Sequence, residues 1–130
     1  MKIYLAARYS DKVIIAARKR ELEAMGYDVV STWTDEPDSP QVNLSDVADL
    51  VLTIYAARDC EEIRSADMMI FFSISPLEAT KRGGRHVEFG MALSLGKKML
   101  VCGPKENIFH YLPLIEQFDT WDQVKKRLLQ

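Results

Sequence analysis

Two cysteines, six glycines and five prolines are few for 130 residues, and each shortage removes a class of protein. Cys60 and Cys102 are far apart and fit no CxxC or Cys/His spacing, so neither a disulfide framework nor a zinc site is expected. So little glycine and proline excludes a linker-rich or low-complexity chain. No run approaches the roughly 18 unbroken apolar residues of a membrane span. Met1-Lys2-Ile3-Tyr4-Leu5-Ala6-Ala7-Arg8 is too short and too soon charged for a signal peptide. No membrane partner is expected, and the expected setting is cytoplasmic. Charge of one sign is also lacking. Seventeen basic against 19 acidic side chains leave -2, which argues against a whole-surface grip on a nucleic-acid polymer. What is present is a chain with 48% hydrophobic residues, enough for one domain over residues 1–130 to bury a core without staples.

The apolar run Ile3 to Ala7 reads as a buried strand. Ser10 is placed to cap a helix running to about Met25 and stopped by Gly26, with Val13, Ile14, Ala17, Ala24 and Met25 on one face. Tyr27 to Thr32, with its β-branched residues, predicts a second strand. A breaker-rich stretch, 35–40, separates it from a helix over about 45–65 that is capped by Ser45 and carries Val47, Leu50, Val51 and Ile54. Met68 to Phe72 predicts a central strand and Ser73 to Arg85 a loop. A helix from about Arg85 to Leu95 should stop at Gly96, followed by a strand at Met99 to Cys102. A short strand near Phe118 and a helix from Asp122 complete the chain. The βα alternation predicts an α/β three-layer sandwich with a central parallel sheet of about five strands. Ligands of such sheets bind beyond the carboxyl ends of the strands.

Several familiar loops are absent from those ends. There is no GxGxxG after the first strand, no GxxxxGK[ST] and no GxSxG, which removes the commonest nucleotide-binding and serine-nucleophile enzymes of this architecture. What remains is Arg82-Gly83-Gly84-Arg85-His86-Val87-Glu88-Phe89-Gly90-Met91-Ala92. Glu88 is expected in the first turn of a helix between two apolar residues. Burial there raises a carboxyl pKa, while free N–H groups and the positive helix end keep it ionised. It reads either as a carboxylate satisfying the helix dipole or as a nucleophile for a sugar anomeric carbon. Gly83-Gly84 reads as a plain turn or as a phosphate cradle. Asp59, Tyr4 and Asn107 each have an ordinary reading, as a solvated helix residue, a core aromatic and a loop residue, yet all fall around one crevice.

These residues resemble the nucleoside 2-deoxyribosyltransferase family, which includes related 2′-deoxynucleoside 5′-monophosphate N-glycosidases. The resemblance runs from Lys2-Ile3-Tyr4-Leu5-Ala6 through Asp59 and Ser65-Ala66-Asp67-Met68 to Val87-Glu88-Phe89-Gly90-Met91-Ala92-Leu93, Gly96-Lys97-Lys98 and about His110. It implies a flavodoxin-like fold and cleavage of an N-glycosidic bond, with transfer to another base or to water. It implies that Glu88 attacks C1′ and holds the sugar as an ester, that Tyr4 positions that carboxylate, and that Asp59 assists proton transfer to the departing base. It implies that Asn107 completes the sugar site of a neighbouring subunit, making the chain a homodimer or higher homo-oligomer with shared sites. No metal or organic cofactor is required. Arg8 and Arg85, beside Gly83 and Gly84 at a helix N-terminus, make a phosphate site, so the expected partner is a small-molecule nucleoside or its 5′-monophosphate. Trp33 and Phe72 could sandwich the base or belong to the core. Arg82 departs from the family, in which an acidic residue commonly lies six positions before the nucleophile. That departure motivates a second reading, a nucleotide-binding sensor that has lost the chemistry.

Overall fold

The computed structural model describes residues 1–36, 49–78 and 83–130. The expected cap at Ser45, the 37–40 stretch and Arg82 lie outside the described residues. Five parallel strands, β1 (Lys2–Ala6), β2 (Asp28–Val29), β3 (Met68–Phe72), β4 (Lys98–Cys102) and β5 (Ile115–Phe118), form one sheet in the order β2-β1-β3-β4-β5. The helices are α1 (Lys12–Ala24), α2 (Asp49–Ser65), α3 (Gly84–Ser94) and α4 (Trp121–Leu128). Helices α2 and α3 pack on one face of the sheet and α1 and α4 on the other. This is a flavodoxin-like α/β sandwich, with its order reversing between β1 and β3. Among the described residues no helix is long and apolar enough to cross a membrane.

The central strands are buried on both faces, which is why they read as unbroken apolar runs. Ile3, Tyr4, Leu5, Ala6, Ile70, Phe71, Leu100 and Val101 have no measurable exposure. Alternation along β1 turns Tyr4 toward the α2–α3 face, and its register partner on β3 is Met69. On the same face Phe71 packs edge-on against Phe89 of α3, with ring centroids 5.2 Å apart. Phe72 turns the other way, against Trp121 of α4 at 5.5 Å; it is a packing residue.

Three local expectations are corrected. Strand β2 is two residues long, not six. The Val30 N–H still donates to the Ile3 carbonyl at 2.8 Å, and beyond it the edge of β1 is satisfied by side chains: the Leu5 N–H donates to Ser31 Oγ at 3.1 Å, and the Trp33 indole N–H donates to the Leu5 carbonyl at 2.8 Å. The expected apolar face of α1 is not the one that meets the sheet, and a 3-10 turn at Tyr9–Asp11 precedes the helix. Ile15 and Leu22 face the sheet, whereas Val13 and Ile14 are exposed. On α2, Leu50, Val51 and Ile54 are exposed and Ile63 is the buried residue.

Candidate active site

The Tyr4 hydroxyl of β1 donates a hydrogen bond to Glu88 Oε2 of α3, joining residues 84 positions apart in the chain. Helix α3 begins at Gly84, one residue earlier than expected, so Glu88 is its fifth residue and lies beyond the first turn. The helix-end dipole fades within that turn, and the Tyr4 hydroxyl takes its place as the group opposing burial. Burial raises the Glu88 carboxyl from 4.5 to about 7. The Tyr4 hydrogen bond works against that rise, while the charges of Asp59, Glu36 and Glu62 add to it. A group at about 7 is ionised in a large fraction at neutral pH and is poorly hydrated, which suits a nucleophile. Burial, with the nearby charges of Glu88 and Asp59, raises the Tyr4 phenol far above its ordinary value. It therefore remains a donor across the physiological range.

Asp59 lies close enough to act electrostatically on both members of the pair. Burial raises its pKa; hydrogen bonds from Arg58 and the charge of Arg58 oppose this, and the net shift is upward. A carboxyl raised in this way is better able to carry a proton for delivery. Arg58 bonds to it, and the charges of Glu36 and Glu62 act on it. Sequence reasoning did not single them out, although Arg58 and Glu62 stand at the i, i+4 spacing of a helical ion pair.

Helix α3 is pinned by its first turn. Gly83 precedes it at φ +68, in the left-handed region that favours glycine. Arg85, 4% exposed, forms a bidentate pair with Glu106, both bonds 2.6 Å. Glu106 also accepts from the Ile74 N–H at 3.1 Å and lies 3.1 Å from His86 Nε2. Burial alone would raise Glu106; the bonds from Arg85 and Ile74, with the charges of Arg85 and His86, bring it below its usual range. The backbone N–H of Glu106 donates to His110 Nδ1 at 2.9 Å, and His110 Nε2 has no hydrogen-bond partner among the described residues.

These contacts separate the sequence-predicted site residues into two groups. Tyr4 and Glu88 are hydrogen-bonded, the charge of Asp59 acts on both, and Gly83 and Gly84 form the N-terminus of the helix that carries Glu88. Arg85 does not offer its guanidinium to a phosphate, because Glu106 occupies both of its terminal nitrogens. Trp33 is 6% exposed and holds the edge of β1, so its ring belongs to the core. Arg8 is part-exposed and pairs with Asp11 at 2.8 Å and Glu78 at 3.2 Å. Asn107 caps a 3-10 turn by accepting from the Phe109 N–H at 3.0 Å, and its amide lies 3.5 Å from His86 Nδ1. Among the described residues no group of three His, Cys, Asp or Glu side chains is arranged to hold a metal ion.

No family model matches the sequence, and no curated protein matches it. Solved structures do. The chain is similar to a 2-deoxyribosyltransferase from Bacillus psychrosaccharolyticus, with TM-score 0.73 and 22% identity over 96% of this chain and 90% of the other. It is also similar to the CMP N-glycosidase BcmB of Clostridium botulinum, with TM-score 0.59 and 19% identity over the whole of both chains. The chain shares their fold. At these identities that is the extent of what the likeness shows. Both neighbours belong to the nucleoside 2-deoxyribosyltransferase family that the sequence resembles, and the CMP of the second is a ribonucleotide.

Proposed function

We propose that this chain is an enzyme that cleaves the N-glycosidic bond of a 2′-deoxynucleoside or its 5′-monophosphate through a covalent glycosyl-Glu88 intermediate. The observation that carries the reading is the half-buried Glu88 carboxylate held by the Tyr4 hydroxyl, with the charge of Asp59 acting on both. The structural neighbours, a 2-deoxyribosyltransferase and a CMP N-glycosidase, support transfer or cleavage at an N-glycosidic bond.

In the first step a Glu88 oxygen bonds to C1′ as the C1′–N bond breaks. The bonding pair leaves with the base, and Asp59 delivers a proton to it. Positive charge developing on the sugar is stabilised by the adjacent carboxylate. In the second step a nitrogen of another base, or a water oxygen, attacks C1′. The ester bond breaks, its electron pair returns to Glu88, and Asp59 takes up the proton of the incoming group. Two displacements give net retention at C1′. Tyr4 holds the carboxylate oriented throughout. A 5′-phosphate would meet Arg8 and the backbone N–H groups at Gly83–Gly84; Arg85 is not available to it.

A homo-oligomer with shared sites is part of this proposal. Ile108, Phe109 and Tyr111 beside Asn107, and Val87 beside Glu88, are 76%, 54%, 66% and 67% exposed. An apolar band of this kind next to the site suits coverage by a second copy.

The test is to incubate ribo- and deoxyribonucleosides and their monophosphates with the wild type and with Glu88→Ala. Base release by the wild type and its loss in a folded variant support the reading. Equal release by both rejects it, and tight binding without release favours the sensor. New nucleoside formed only when a second free base is added identifies transfer.

A further inference from the structure

Four carboxylates share one field: the charges of Glu36, from the segment after β2, and of Asp59 and Glu62, from α2, act on Glu88 of α3, and those of Asp59, Glu62 and Glu88 act on Tyr4 of β1. Arg58 ion-pairs with three of them. Its Nη2 donates to Glu36 and to Asp59 Oδ1 at 3.0 Å, its Nε lies 3.3 Å from the same Asp59 oxygen, and Glu62 Oε1 is 3.9 Å away. The guanidinium lies 4.9 Å from the centre of the Tyr55 ring, a contact that restrains its plane. Glu62 is held from the other side by the N–H and hydroxyl of Thr32, at 3.1 and 2.6 Å. Lys12 of α1 reaches the Glu36 backbone carbonyl rather than its carboxylate.

We propose that Arg58 is a positioning residue for the chemistry assigned above: it draws Glu36, Asp59 and Glu62 onto one guanidinium, holds the Asp59 carboxyl beside the Tyr4–Glu88 pair and offsets the negative charge collected there. This rests on the reading of Glu88 and Asp59 as the reacting pair. Interacting carboxylates titrate as a set, and removing a cation from the set makes every member hold its proton more tightly. A planar fork can hold Glu36 and Asp59 at once, which a lysine point charge cannot do with the same geometry.

The experiment compares wild type, Arg58→Gln, Arg58→Lys and Glu36→Gln. Carboxyl titration is followed by NMR on protein carrying ¹³C-labelled Asp and Glu, assigned with Asp59→Asn and Glu88→Gln, alongside the pH profile of base release. Arg58→Gln is expected to raise the proton affinity of the site about tenfold and to move the acidic limb of the profile upward. Arg58→Lys should titrate like wild type but turn over more slowly at unchanged KM. Glu36→Gln, which removes an anion, should move the titration downward and calibrates the size of a one-charge change. Superimposable titrations of wild type and Arg58→Gln overturn the role of Arg58; if Arg58→Gln does not fold, Arg58→Lys decides, and its turnover at the wild-type kcat overturns the role. A wild type that releases no base rejects the proposed function, while the NMR titration still decides what Arg58 does.

Discussion

The Tyr4 hydroxyl and the Glu88 carboxylate meet in a hydrogen bond between a central strand and the helix that packs over it. The tyrosine is the donor that opposes burial of the charge.

Tyr4→Phe should therefore raise the Glu88 pKa above 7, because a bond that favoured the ionised form has been lost. The acidic limb of kcat/KM should move to higher pH. Leaving the half-buried carboxylate without its donor should also cost about 1–3 kcal/mol of stability at alkaline pH. Denaturant titration and a pH–rate profile check both.

The raised Glu88 pKa has a stability consequence. The folded state holds a proton at this site between the ordinary 4.5 and about 7, where the unfolded chain has released it. The stabilising contribution is thus fully present below the unfolded value and is lost as pH rises through about 7. Its size is on the order of 3 kcal/mol. Glu88→Gln keeps a neutral group against Tyr4, so it should unfold at a higher temperature than wild type at pH 8 while losing activity. Thermal melts across pH read the difference.

Glu106→Ala should be among the most damaging single changes, about 3–5 kcal/mol, since it leaves the Arg85 guanidinium buried and unpaired. Arg85→Met combined with Glu106→Leu should recover much of that loss, because a well-packed apolar pair replaces a buried ion pair at little cost. Chemical denaturation of the three variants gives the comparison.

His110 is 1% exposed, and burial is the leading cause that lowers its pKa below the ordinary 6.5. Its Nδ1 accepts from the Glu106 N–H, so the neutral ring is the form that fits. Stability tied to this residue should be present above the unfolded value and fall as pH drops below about 6.5. That sign is opposite to the Glu88 contribution. NMR of the imidazole should show it still neutral at a pH where exposed histidines are charged.

The parallel sheet and its order of elements were legible because buried strands such as Met68–Phe72 are continuous apolar runs and glycines such as Gly96 mark helix ends. The short β2 was not. Its hydrogen bonds pass to the side chains of Ser31 and Trp33, which local propensity does not describe. The faces of α1 and α2 were misjudged because apolar spacing selects several faces and the sheet selects one. Tyr4, Asp59 and Glu88 were found together through the family resemblance; nothing local pairs residues 84 positions apart. The engagement of Arg85 by Glu106 is equally non-local, with its partner in a loop 21 residues away. The Arg58 cluster left a readable trace in its i, i+4 spacing.

Covalent capture at Glu88 is the most direct measurement. The wild type is mixed with a deoxynucleoside or deoxynucleotide that it cleaves, quenched rapidly in acid, digested and read by peptide mass spectrometry. The account predicts a deoxyribosyl adduct on the peptide carrying Glu88, absent from Glu88→Gln. Continued base release by Glu88→Gln, with no adduct on the wild type, would contradict it.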